Sequence, residues 1–267
     1  MIVIRRLVGL ILLAVLGLTA CNRLGETPPP TPLDVDSLAT AIMLTRNAPP
    51  EGFEQMTLAQ IDQGLSDLEG YHYTLELRFE GVVDATLAQT TGHIRAEVWW
   101  DGIAPARRVI LDAGGDAFAS EPRQFEGVRL GEDYYLVDSQ GRCLINVEET
   151  AQGVADLDAG SLLGGVTQVP YDQVHAVINN IDAYRFRVTP MAMNFPALQL
   201  REGGSLEGNG ELWVHPDPDV VVRYYANLDV SHGAFFDAQI PVSGLIYIRY
   251  DLLDFSSVPN ISIPYGC

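Results

Sequence analysis

The sequence predicts an α+β fold: one long antiparallel sheet of about ten strands in meander order, curled over helices that cover its dry face. Three observations carry that prediction. From Tyr71 to Glu80 every odd position is Tyr, Leu or Phe and every even position is polar or charged, which is the period of a half-buried strand. The same alternation, cut by turns rich in Gly, Asp and Pro, returns in Gly92–Asp112 and again between Tyr184 and Asp254. Before the first strand, and once in the middle of the chain, the apolar spacing becomes helical instead.

In chain order, Arg5 and Arg6 precede an apolar run from Leu7 to Leu18 that is too short to cross a bilayer comfortably. Leu18-Thr19-Ala20-Cys21 closes it. This order resembles a bacterial lipoprotein signal peptide, whose lipobox reads Leu-x-Ala-Cys. The resemblance implies that residues 1–20 are removed, that Cys21 is acylated on its thiol, and that the mature chain is held at the outer face of a membrane. Each buried acyl methylene adds about 0.8 kcal/mol, so several chains on one cysteine hold firmly. An uncleaved anchor, or a secretory peptide cut after Ala20 with a chance cysteine behind it, are the other readings. Residues 21–50 are expected to form a spacer from that cysteine, stiffened by Pro28, Pro29, Pro30 and Pro32, with a short helix over Asp36–Thr45. The domain itself is assigned to 51–267.

Thr57 and Gln60 stand in a capping-box relation, and Leu58, Ile61, Leu65 and Leu68 share one helical face before Gly70, so a helix is expected there. Strands follow at Tyr71–Glu80 and Gly92–Trp100. Asp101-Gly102 opens the turn of a hairpin that returns over Arg107–Asp112. Further strands are expected at 125–130, 133–138 and 142–147. Leu157, Leu162, Leu163 and then Val174, Val177, Ile178 and Ile181 predict one or two helices inserted between the halves of the sheet. The second half repeats the plan, with strands at 184–188, 210–214, 220–230 and 244–254. The proline-bearing tail, 258–264, reads as an edge segment.

Charge narrows the partners. The chain has 16 basic and 35 acidic residues, a net charge of −19. Nucleic acid is therefore excluded as partner, and flat contact with an anionic membrane is disfavoured. Every basic residue is Arg, so lysine Schiff-base chemistry and a phosphate-loop lysine are excluded. With Cys21 lipidated in an oxidising space, Cys143 and Cys267 are expected to form a disulfide; two buried free thiols are the alternative.

The lipobox, proline spacer, leading helix, Tyr71–Gly81 strand, Gly-initiated hairpins at Gly92–Asp112 and Gly208–Val230, and the Leu/Gly-rich insert at Asp158–Val166 together look like the LolA/LppX/LprG group of extracytoplasmic lipid-binding proteins. That resemblance implies a strongly curved half-barrel whose concave face, closed by helices, holds acyl chains. No acidic-Pro element precedes the insert here, and the acidity is unusual for the mycobacterial members. The residues expected to face the guest are Tyr73, Leu75, Leu77, Phe79, Ile94, Val98, Trp100, Phe186, Leu212, Tyr224, Ile248 and Tyr250.

No catalytic motif is present: no His-Glu-x-x-His, no Gly-x-Ser-x-Gly and no phosphate loop. The five histidines lack metal-ligand spacing, and Asp156/Asp158 and Asp217/Asp219 do not continue into a calcium loop. No metal and no cofactor is implied. The expected function is a membrane-anchored holder or carrier of a lipid or acylated ligand without covalent chemistry. A scaffold or sensor with a packed core that binds an envelope protein partner is the alternative, and a hydrolase is the least supported reading.

Overall fold

A computed structural model describes residues 48–118, 123–236 and 240–267. The signal segment, Cys21, the spacer through residue 47 and the expected helix at 36–45 lie outside the described residues.

Thirteen strands build a single antiparallel sheet. They are β1 (Gln55–Leu58), β2 (Gly70–Val83), β3 (Gln89–Asp101), β4 (Ala106–Gly114), β5 (Arg123–Leu130), β6 (Asp133–Asp138), β7 (Cys143–Leu144), β8 (Gly165–Ile178), β9 (Ile181–Val188), β10 (Met193–Asn194), β11 (Leu198–Pro216), β12 (Asp219–Phe235) and β13 (Val242–Asp254). Two helices, α1 (Glu148–Ala155) and α2 (Ala159–Leu163), sit between β7 and β8. The order across the sheet is β1-β8-β9-β11-β12-β13-β2-β3-β4-β5-β6-β7, with β10 alongside β8. Two meanders are thus joined by the pairing of β13 with β2, and the sheet is not closed.

The expected α+β class with helices covering the face is overturned. Strands take 61% of the structure and helices 9%, so the fold is mainly β and its helices are too few to roof the sheet. Helix α1 packs chiefly on β5 and β6, with a smaller contact on β4. Gly127 makes that approach possible, since a Cβ there would stand 2.7 Å from Val154 Cγ1 and 2.9 Å from the Ala155 nitrogen. Because α1 and α2 connect the β7 edge to β8 at the far side, the insert stands where the two halves of the sheet fail to meet.

Two expected helices are strands or turns. Over 57–70 the Thr57 hydroxyl accepts from the Gln168 amide at 2.9 Å instead of capping its own chain, because β1 pairs with β8 through Met56 and Val169. Gly64, at φ +89° and with the Asp219 carbonyl 2.5 Å from where a Cβ would be, turns the backbone away from a helix. A single 3-10 turn, Leu65–Asp67, is all the helix that remains, yet Leu58, Ile61 and Leu65 are buried as expected. Val174, Val177, Ile178 and Ile181 belong to the β8–β9 hairpin, whose turn is Asn179-Asn180 with φ of 53° and 65°. Such a pair of positive φ values is the mark of a tight hairpin turn, and Asn tolerates it. The helical spacing was misleading because this hairpin has apolar company on its outer face: Val174, Ala176, Ile178 and Ile181 pack around Ala183, Trp213 and Val222.

The remaining strands fall where the alternation puts them, though β11 starts at Leu198, well before residue 210, and β7 shrinks to two residues. The tail from residue 255 has no strand. It runs back to the sheet's far edge, where Cys267 is bonded to Cys143 across a sequence separation of 124 residues.

One core cluster runs through both meanders, from Val166 and Val169 on β8 to Val109 on β4 and Leu136 on β6. Residues from so many strands share one core only if the sheet bends toward its dry side. The outer face is a lattice of exposed ion pairs, such as Arg95 to Glu76 at 3.0 Å and Arg108 to Glu126 at 2.8 Å. Pairs of this kind each contribute little to stability.

Candidate functional site

The cross-strand register lays the inner face out in rows. One row reads Tyr171, Phe186, Leu212, Tyr224, Tyr250, Leu75, Ala96, Leu111 and Phe125, each directly opposite the next. The row nearest the end of the sheet where β2 begins reads Tyr71, Trp100, Arg107, Arg129 and Tyr134. The first row is wholly apolar apart from its phenols. The second carries two guanidinium groups.

All twelve residues expected to face a guest lie on this inner side. Tyr73, Leu75, Leu77, Phe79, Val98, Phe186, Leu212, Tyr224, Ile248 and Tyr250 are buried, none more than 3% exposed. Ile94 and Trp100 are half-buried and pack against the same cluster.

Within that dry wall, two polar atoms have no partner among the described residues. Tyr224 and Tyr250 face each other across β12 and β13, and both hydroxyls are shut from solvent without a hydrogen bond. Burial pushes both phenols up from their usual pKa. Tyr73, whose ring lies 5.2 Å from that of Tyr250, differs in one respect: its oxygen accepts from Arg107 Nη2 at 3.2 Å.

Arg107 is the centre of the rim row. It stands in phase with Val109 and Leu111 on β4, so the alternation itself places it on the inner side. Its guanidinium donates to the Tyr71 hydroxyl at 3.4 Å, the Tyr73 hydroxyl at 3.2 Å and the Leu157 carbonyl at 2.5 Å. All three acceptors are neutral. No carboxylate lies within ion-pair distance among the described residues, and Nε is buried without a partner.

The aspartates nearby are engaged elsewhere. Asp156 accepts from Arg129 at 2.6 Å and from the Tyr134 hydroxyl at 3.0 Å. Asp158 caps α2 by accepting from the Ser161 amide, and Asp62 accepts from the Gly160 amide at 2.9 Å. Burial, with Asp158 adding to it, raises the Asp62 carboxyl above its ordinary value, against the opposing pull of the Gly160 amide and Arg107. These bonds pin the α1–α2 segment to the rim.

A cleft of about 430 Å³ opens here, walled by Tyr71, Trp100, Arg107, Arg129, Asp62 and Asp158. Tyr71 and Trp100 stack with their rings 6.3 Å apart, and Arg129 lies over Trp100 at 5.3 Å. Among the described residues no group of three His, Cys, Asp or Glu converges as a metal-ligand set, and no helix is long and apolar enough to cross a membrane.

No protein family and no curated protein sequence matches this chain. One similar solved structure is a DUF1329 family protein from Desulfovibrio piger, 9% identical, covering 83% of this chain and 98% of its own, with a TM-score of 0.17. A superposition that loose assigns neither fold nor function.

Sequence reasoning found the dry wall and, apart from Trp100, missed the rim. Arg107 and Arg129 were legible in principle, since both keep the phase of apolar neighbours on strands that were located. Asp62, Asp156 and Asp158 come from turns and helix ends, where no periodicity marks them.

Proposed function

We propose that this domain holds the apolar part of a lipid or acylated ligand against the inner wall of its sheet, at the outer face of a membrane to which Cys21 anchors it. The unpartnered hydroxyls of Tyr224 and Tyr250, on neighbouring strands, carry the reading. A buried hydroxyl without a partner costs about 1–3 kcal/mol, and here two such groups are direct cross-strand neighbours. A phenol is a poor choice for a core that needs only bulk, because Phe packs the same ring without that cost. A guest with an ester or carboxyl oxygen among its methylenes supplies an acceptor for both O–H donors, while its chain is held by transfer out of water. The order of the inner face, apolar along the sheet and cationic at one rim, suits an amphiphile. No step of this function needs a bond to be made or broken.

The direct test is mass spectrometry of the mature chain, extracted without denaturant, beside the same material after solvent extraction. A bound species with an acyl mass, present in the first and absent from the second, is expected. Protein that carries nothing and takes up no fluorescent fatty acid refutes the proposal. The anchor is tested separately: Cys21→Ala should move the protein from the membrane fraction to the soluble one.

A further inference from the structure

We infer that the rim cleft around Arg107 is a binding site for an anionic oxygen group, a carboxylate or a phosphate, and that it receives the head of the guest proposed above. The inference rests on that reading for the identity of the ligand, but the site stands on its own geometry.

Arg107 and Arg129 are direct cross-strand partners on β4 and β5. Like charges placed so destabilise a sheet, and a chain with net charge −19 has no shortage of acids to neutralise them. Only one has a direct ion pair: Arg129 has Asp156, whereas Arg107 donates to two phenols and a peptide carbonyl and feels Asp158 and Asp156 only from beyond ion-pair distance. Its Nε remains buried and unpaired. A half-buried cation in that state is poised for an anion, because a charge-assisted bond to oxygen is worth about twice a neutral one and the guanidinium fork fits a carboxylate or phosphate edge.

The walls agree with the inference. Two carboxylates share the cleft with the guanidinium groups, each held in place by a backbone amide: Asp158 accepts from the Ser161 amide and Asp62 from the Gly160 amide, so neither is turned onto Arg107 as an ion-pair partner. Tyr71 and Trp100 give the cleft one apolar flank, continuous through Tyr73 with the inner wall where Tyr250 stands.

The test uses solvent-extracted mature protein and four probes: oleate, oleyl alcohol, a monoacyl glycerol phosphate and inorganic phosphate, with affinities read by calorimetry. Oleate and the acyl phosphate should bind about tenfold or more tightly than oleyl alcohol. Arg107→Met should remove that preference while leaving oleyl alcohol unchanged, and Arg107→Lys, which keeps the charge, should retain part of it. Circular dichroism melts of both variants check that the fold persists. The lysine variant keeps the comparison valid if the methionine variant is unstable.

The pattern of loss separates the two claims. Equal affinity for oleate and oleyl alcohol, or a uniform loss across all probes in the methionine variant, overturns the anion site and leaves the acyl holder standing. Inorganic phosphate that binds as tightly as the acyl phosphate, and is lost in Arg107→Met, supports the anion site and assigns it to a free anion. If no probe binds, both claims fall.

Discussion

The two unpaired phenols permit a prediction of unusual sign. In protein stripped of any guest, Tyr224→Phe and Tyr250→Phe should each raise stability, since each removes a buried hydroxyl that has no partner. The gain expected is about 1–3 kcal/mol per site. For a domain of this size each kcal/mol moves the melting temperature by about 2–4 °C, so a shift of several degrees is readable. Tyr73→Phe is the internal control. It lies on the same wall with its ring 5.2 Å from that of Tyr250, but its oxygen accepts from Arg107, so the change deletes a real bond and leaves a guanidinium N–H short of an acceptor. It should lose about 1 kcal/mol or more. Paired urea titrations of stripped and acyl-loaded protein complete the assay. In the loaded state the advantage of the two Phe variants should shrink or reverse, because the guest then supplies the missing acceptor. The double variant Tyr224→Phe/Tyr250→Phe should fall short of the summed single effects if both hydroxyls address one oxygen of the guest, as the cross-strand register of the two residues suggests. Stripped Tyr224→Phe and Tyr250→Phe proteins that are each destabilised by more than 1 kcal/mol would sink the reasoning, for they would show those hydroxyls already satisfied.

Reducing the Cys143–Cys267 bond should cost about 2–5 kcal/mol, since it releases a loop spanning 124 residues of sequence; denaturant midpoints with and without reductant measure it. Gly164→Ala should lower stability by about 1–3 kcal/mol or prevent folding, because φ is +71° there and an added Cβ runs into the Asn194 carbonyl at the junction of α2 and β8. Asp62 gives a pH signature: its carboxyl is raised from 3.8 in the folded state, so the folded form holds the proton better and stability falls as pH climbs from 3.8 through the raised value. Asp62→Asn should remove that fall, measured as urea midpoints across about pH 4 to 7, and an unchanged slope would refute the assignment.

Alternation placed β2 through β6 and most of β9, β12 and β13, but only the last part of β11, because a strand with one wet and one dry side writes its faces directly into the sequence. The same rule located all twelve wall residues. It failed at 57–70 and 174–181 for one shared reason. In both, apolar spacing compatible with a helix was overridden by strand pairing: β1 with the distant β8, and β8 with β9 across a tight hairpin, the latter supported by an outer apolar cluster around Trp213. The error in fold class follows from these two segments, since they were the helices meant to cover the face.

What the linear chain settled by itself is the identity of the dry wall, the acidity and the absence of Lys, because each depends on residue type or on a two-residue period; it left the bond between Cys143 and Cys267 open against two free thiols. The tertiary structure alone decided that Tyr224 faces Tyr250 without a partner and that Arg107 is closed in among neutral oxygens. Those are facts of register between strands far apart in sequence and of helix ends docked onto a rim. No local pattern encodes which donor is left unmatched when such surfaces meet.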